Sequence, residues 1–251
     1  MEESWDWEQR RRERLRRKIV EFLIQSSTQL CVLPIVKYAA LSLFADRFLP
    51  SLHNHNSAAT TTFVERMPLK KSWLLQSPIG ECNLQLFALI SIWISSKIHD
   101  TTPLSITSLK SLGDEFITEQ HFTTRDFLEA EVVFLQVLNF EIGVSRIAFV
   151  FLEDLLIRFR EISTTGGLVN FEACMDVMDL LYETEATSTL CCSPASLAAA
   201  VLVAAYAIAV PKQQSEFPIL SWVKFAISLE EEEVGKLVRK ILTHVLNQPV
   251  E

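Results

Sequence analysis

A chain of 251 residues can bury one large core or two of ordinary size, and with 49% hydrophobic against 22% charged residues it is too apolar to stay disordered. Six glycines argue against a glycine-cradled phosphate loop and against turn-rich β architecture, which leaves helices joined by short polar connections. The net charge of −8 disfavours general nucleic-acid binding, because neutralising phosphates needs a basic face.

The one local exception comes first along the chain. Residues 10–18 read RRRERLRRK, seven basic against one acidic, so this segment carries +6 and the remainder about −14 by subtraction from −8. It runs into an amphipathic helix from Leu15 to Ile24, with Leu15, Ile19, Phe22 and Leu23 at helical spacing. Pro34 opens a second helix whose apolar set Tyr38, Leu41, Phe44, Ala45 and Phe48 leads to an end at Pro50. Residues 50–80 break the pattern with PSLHNHNSAATTT and LLQSPIG, and a mobile insertion is expected there.

From Asn83 to Lys97, NLQLFALISIWISSK is apolar on nearly every side, which marks a helix surrounded by others. A shorter helix is expected over Ile106–Phe116. Thr123 and Asp126 then have capping-box spacing for a helix running to about Phe140, with Gly143 as its closing residue. Five further helices are expected near 146–161, 169–183, 194–209, 216–227 and 229–247. The last opens with Ser228 and Glu231 in capping-box spacing and ends with Lys236, Arg239 and Lys240 near its C-terminus. Each half therefore presents a buried central helix third among five, the pattern of a duplicated helical bundle.

The uncharged stretch LAAAVLVAAYAIAV is about 14 residues, short of the roughly 20 that a bilayer span needs, so a buried core helix is expected. Cys31, Cys82, Cys174, Cys191 and Cys192 are an odd set without CxxC. The start, MEESWDWEQRRRER, has no apolar run, so free and mostly buried thiols in a reducing compartment are expected. His53, His55, His99, His121 and His244 lack metal-ligand spacing, and no GxSxG, GxGxxG or GxxxxGK[ST] occurs. The acidic run Glu230 to Glu233 opens a helix instead of pairing across a cleft. No catalytic residue, metal site or cofactor is expected, and no small-molecule substrate or membrane partner.

Four segments in order across residues 15–142 resemble those of cyclins: LRRKIVEFLIQS the opening helix of the cyclin box, FADRFL its DRFL signature, LQLFALISIWISSK its LQL…ASK helix, and FTTRDFLEAEVVFLQVLNFEI the segment ending in a "VL-F-L" pattern. SPASLAAAVLVAAY resembles the P-S-L-A-A helix of the C-terminal box. Short length and a missing tail are similar to those of plant J-type cyclins. The resemblance implies an all-α protein of two tandem five-helix cyclin-box bundles. Residues 1–143 would be the N-terminal box, with a short N-terminal helix and an insertion at about 50–82, and residues 144–251 the C-terminal cyclin-like bundle.

It implies a non-catalytic, activating subunit that forms a heterodimer with a cyclin-dependent Ser/Thr protein kinase in cell-cycle or transcription control, present in nucleus and cytoplasm. Residue by residue, Lys97 and Glu131 match the interface pair that grips the kinase beside its regulatory helix. Arg16 and Asp46 match a buried pair bracing the first two helices, and Leu86 the packing leucine of the third. Leu15, Phe22 and Gln85 match parts of a substrate-docking patch that is degraded here, since Phe22 replaces a tryptophan, Lys18 an aliphatic residue and Gln25 an acid. Losing that acid removes the charge partner of a docking arginine. Arg12–Leu15 gives a bare RxxL, and LxCxE is absent. Two readings stay open beside kinase activation: a cyclin-box scaffold that binds transcription factors, peptides or DNA, for which the acidic second half lacks a basic face, and a folded homologue that does not activate. For RRRERLRRK an import signal and a solvated helix face are both open.

Overall fold

The computed structural model describes residues 2–52, 72–76, 79–143, 147–183, 193–211, 217–228 and 230–246, without the side chains of 2–6 and 8. The chain divides into two compact units, Met1–Ser145 and Arg146–Glu251. Each holds five α-helices among the described residues, and no strand occurs among them.

In the first unit, helix α1 spans Glu2–Gln29, far longer than the Leu15–Ile24 stretch that periodicity marks. Nothing upstream of Leu15 breaks a helix, and exposed i,i+4 contacts such as Gln9–Glu13 and Arg17–Glu21 support its charged surface. After Cys31, held at φ 50, α2 starts on Pro34 at its first turn and spans Pro34–Leu41. It continues through a wide turn, Ser42–Phe48, in which the N–H of Leu49 reaches back five residues to the carbonyl of Phe44. The helix does not end at Pro50 as expected but runs to Leu52. A proline ring collides with the carbonyl four residues back in a regular helix, and the wider register relieves that collision.

Helix α3, Glu81–His99, is the hub: α1, α2, α4 (Ile106–Phe116) and α5 (Thr124–Val137) all pack against it. Every residue from Leu86 to Ser96 is buried. Phe48 stacks on Phe134 with centroids 4.4 Å apart and tilts against Phe87 at 4.8 Å, so α2, α3 and α5 meet in one aromatic contact. On α4, Gly113 keeps the approach close, since a Cβ there would meet the Phe127 ring at 3.3 Å.

The capping box that opens α5 is present: the N–H of Thr123 donates to Asp126 Oδ2 at 2.7 Å, and the N–H of Asp126 to Thr123 Oγ1 at 3.3 Å. The closing residue is not Gly143. The N–H of Asn139 bonds Gln136 O and that of Phe140 bonds Leu135 O, a Schellman pair with Asn139 (φ 52) and Phe140 (φ 59) in the left-handed region. Asparagine tolerates that conformation well enough to stop the helix six residues before 143.

Most of the 50–82 insertion, including His53 and His55, lies outside the described residues. Its return is fixed: Leu74 is fully buried, Ser72 Oγ donates to Glu129 Oε1 at 2.7 Å, and Asn83 Nδ2 donates to Leu74 O at 3.1 Å.

In the second unit, α6 (Ala148–Ile162), α7 (Phe171–Glu183), α9 (Ile219–Ile227) and α10 (Glu231–Leu246) surround α8 (Pro194–Ala209), which is buried from Ala198 to Tyr206. Phe159 gathers Tyr206, Phe217 and Trp222 at centroid distances of 5.7, 5.2 and 5.5 Å. At the turn after α6, a Cβ on Gly166 would sit 2.8 Å from Arg160 Cα, so only glycine fits. Ser228 does not open α10. It closes α9 with φ 55, and α10 starts on Glu231, Glu232 and Glu233, whose charges suit a helix N-terminus. Because α10 runs on to Leu246, Lys236, Arg239 and Lys240 lie mid-helix and not at its end. No described helix is long and apolar enough to cross a membrane.

Two measurements check this packing. Thr123→Ala removes half of the capping box and is expected to lower the stability of the first unit by about 1 kcal/mol in urea unfolding, with Thr123→Ser near neutral. The described thiols Cys31, Cys82 and Cys174 are free, and Cys31 is exposed, contrary to the expectation of mostly buried thiols. Burial pushes the Cys174 thiol up to about 11. It is therefore protonated at pH 8, so maleimide should label Cys31 in the native chain and leave Cys174 untouched until urea unfolds it. Equal rates in mapped digests would contradict that burial.

Candidate protein-docking site

Helix α3 stays buried until its last turn, and Lys97 is the first exposed side chain after Ser96. A cation there suits the helix C-terminus. Trp93, one turn back, is pinned by its indole N–H to Leu104 O at 3.0 Å, and Lys97 Nζ lies over its ring, 3.4 Å from the centroid. Ser96 Oγ accepts from the N–H of Leu104 at 3.2 Å, so α3 itself holds the connection that follows it.

From α5, Glu131 Oε1 meets Lys97 Nζ at 2.5 Å. The two side chains keep 38% and 20% of their accessible surface. An ion pair this exposed contributes only about 0.2–1 kcal/mol to folding, and its larger effect is to fix two side chains in one geometry. Around it the surface is apolar: Leu128 and Val132 share the face of α5 with Glu131 and are 50% and 51% exposed, and Ile98 beside Lys97 is 43% exposed. An oriented polar pair ringed by exposed aliphatic groups is the composition of a protein-recognition surface. Desolvation pushes the His99 imidazole below its ordinary value, so it is neutral at pH 7.

The remaining candidates take other places. Arg16 is buried on α1 and Leu86 is buried on α3, while Asp46 occupies an exposed position on the wide turn of α2. Its neighbour Arg47, which the motif reading passed over, donates to the backbone carbonyl of Glu141 and ties α2 to the segment after α5. On α1, Phe22 is buried and Leu15 half-buried, with Gln85 half-buried on α3 and Gln25 exposed. Between these helices Lys18 Nζ bonds Glu81 Oε1 at 2.6 Å, and that hydrogen bond is the main reason the Lys18 amine is held above its ordinary range. Phe140 combines a left-handed backbone with 61% exposure. Among the described residues, no group of three or more His, Cys, Asp or Glu could hold a metal ion.

Comparison with known proteins bears on the family and the fold. Residues 3–143 match the family model described as "Cyclin, N-terminal domain". The chain is 60% identical over 232 residues to Cyclin-J18 of Arabidopsis thaliana, covering 92% of this chain and 95% of that one. To Cyclin-J18-like of Oryza sativa subsp. japonica it is 53% identical over 231 residues, covering 92% and 87%. The X-ray structure of a viral cyclin from herpesvirus saimiri superposes with a TM-score of 0.66 over 94% of this chain and 86% of that one, at 15% identity, a likeness of fold. A third helix buried from Leu86 to Ser96, the DRFL and LQL segments on α2 and α3, the match of residues 3–143 to the cyclin N-terminal domain and identity to plant relatives over nearly their whole length place the chain in the cyclin family.

Proposed function

We propose that the chain is the activating, non-catalytic subunit of a cyclin-dependent protein kinase and that the kinase docks on the rim carrying Lys97 and Glu131. The observation that carries this reading is the preassembled pair, 2.5 Å apart, ringed by Leu128, Val132 and Ile98. A partner that meets an oriented pair need not spend binding energy ordering it.

Activation would follow from contact alone. A kinase samples active and inactive placements of its regulatory helix and activation loop, and a subunit that binds only the active placement shifts the population toward it. In this scheme Arg16, Asp46 and Leu86 keep the first two helices seated on α3, because a buried arginine left unpaired costs several kcal/mol. Substrates would not be recruited through Leu15, Phe22 and Gln85, since Lys18 and Glu81 place a bonded ion pair beside that face. We assign the complex to cell-cycle or transcription control, acting in nucleus and cytoplasm.

Affinity purification of the tagged chain from plant cells should bring down a Ser/Thr kinase active on histone. Lys97→Ala with Glu131→Ala should weaken that association at least about tenfold, which corresponds to ~1.4 kcal/mol. Circular dichroism should match the parent, because the pair adds little to folding. A folded double variant that still activates normally refutes the docking assignment.

A further inference from the structure

Ser228 and Glu231 have the spacing of a capping box, yet Ser228 closes α9 and does not cap α10. Its hydroxyl is left without the role that the spacing suggests. Ser228 is exposed, its backbone is left-handed at φ 55, and its hydroxyl makes no hydrogen bond among the described residues. The carboxylates that follow are equally open. Glu230 and Glu232 keep 76% and 79% of their side-chain surface, and the lysines that touch them, Lys224 at 3.4 Å and Lys236 at 2.8 Å, are themselves exposed. Glu231 and Glu233 are exposed and make no ion pair among the described residues.

A hydroxyl followed three residues on by a carboxylate, within an acidic run, is what an acidophilic protein kinase reads, because basic side chains line the part of its cleft where those residues lie. Spacing alone is not selective. Among the described residues, Ser111 and Thr123 also have an acid three positions on, Asp114 and Asp126. Ser111, however, lies within helix α4, and the Thr123 hydroxyl donates to Asp126 Oδ2 at 2.7 Å inside the capping box. A kinase takes its substrate as an extended segment, so a hydroxyl already outside a helix is reached with the least unfolding. Ser228 meets that condition, and the run Glu230 to Glu233 follows it. We propose that Ser228 is a phosphorylation site for an acidophilic Ser/Thr protein kinase, recognised through these glutamates. In the transfer, the bond from the γ-phosphorus of ATP to the ADP oxygen breaks as the bond to Ser228 Oγ forms, and the hydroxyl proton passes to the kinase's catalytic carboxylate. The product is a phosphate dianion at the positive end of α10, four residues after Lys224. The proposal stands apart from the kinase-subunit reading, since it rests on the second unit alone.

In the test, the full chain is incubated with casein kinase II and MgATP, and the modified residue is mapped by mass spectrometry. Phosphate is expected on Ser228. Ser228→Gly suits the left-handed turn at least as well, so it should keep the parent's circular dichroism while losing that phosphate. Glu230→Gln with Glu231→Gln should slow the transfer at least about tenfold, since the hydroxyl stays and only its recognition is removed. The tagged chain purified from plant cells with phosphatases inhibited should also carry phosphate on Ser228. An unmodified chain, a phosphate mapped to Ser111, Thr123 or another residue instead, or a glutamine variant modified as fast as the parent overturns the proposal. So does the absence of phosphate from Ser228 in the chain taken from cells.

Discussion

Each unit depends on one helix that has no face to show to water. From Leu86 to Ser96 in α3, and from Ala198 to Tyr206 in α8, no side chain is left exposed. A helix apolar all round is stable only when neighbours cover every side, so the composition of one segment dictates how many others must pack on it and how closely. Each large aliphatic or aromatic group removed from water contributes about 1.5–3 kcal/mol before the entropy of ordering is set against it. The polar exceptions in α3 are serines, small enough to turn inward: Ser91 and Ser96 bond carbonyls of their own helix, Ala88 and Trp93, at 2.7 Å. In α8 the equivalent device is alanine, which lets α6 and α10 approach closely.

This constraint also decides where a recognition surface can form. A hub helix offers polar side chains only towards its ends, and at the C-terminal end of α3 the first is Lys97. Its partner Glu131 sits on α5, whose ends are set by a capping box and by the Asn139 turn. Phe134 on the same helix is stacked against Phe48. The position of the pair is thus set by the core, while its charges contribute little to holding the core together. Changes at Lys97 and Glu131 therefore cost the fold little, which is the reverse of the situation at Arg16.

Helix existence and the identity of the two hubs were legible because long apolar runs at helical spacing have few alternative packings. The Lys97–Glu131 pair was legible only through family resemblance, since a lysine ending one helix and a glutamate 34 residues later carry no local signal of meeting. What sequence reasoning misplaced was helix ends. Gly143 is the residue most free to adopt a left-handed backbone, yet Asn139 reaches that conformation earlier, where the carbonyls of Gln136 and Leu135 need donors. Ser228 has the spacing of an N-cap to α10 but serves the helix before it. Pro50 reads as a stop, and the wide turn at Ser42–Phe48, which no composition signals, carries the helix past it. In each case two local rules competed and tertiary packing chose between them.

The same competition divides the basic run. As a string, RRRERLRRK is one feature, but the bundle separates it into unlike parts. Arg16 is buried, Arg17 and Lys18 are tied to Glu21 and Glu81, and the arginines before Leu15 stand on a part of α1 whose described side chains are all exposed. A buried guanidinium must keep compensating partners or cost several kcal/mol, whereas an exposed one costs almost nothing to remove. Charge changes after Leu15 therefore perturb the seating of α1 on α3. A single helix thus forms a wall of the core after Leu15, while its described side chains before Leu15 are all exposed.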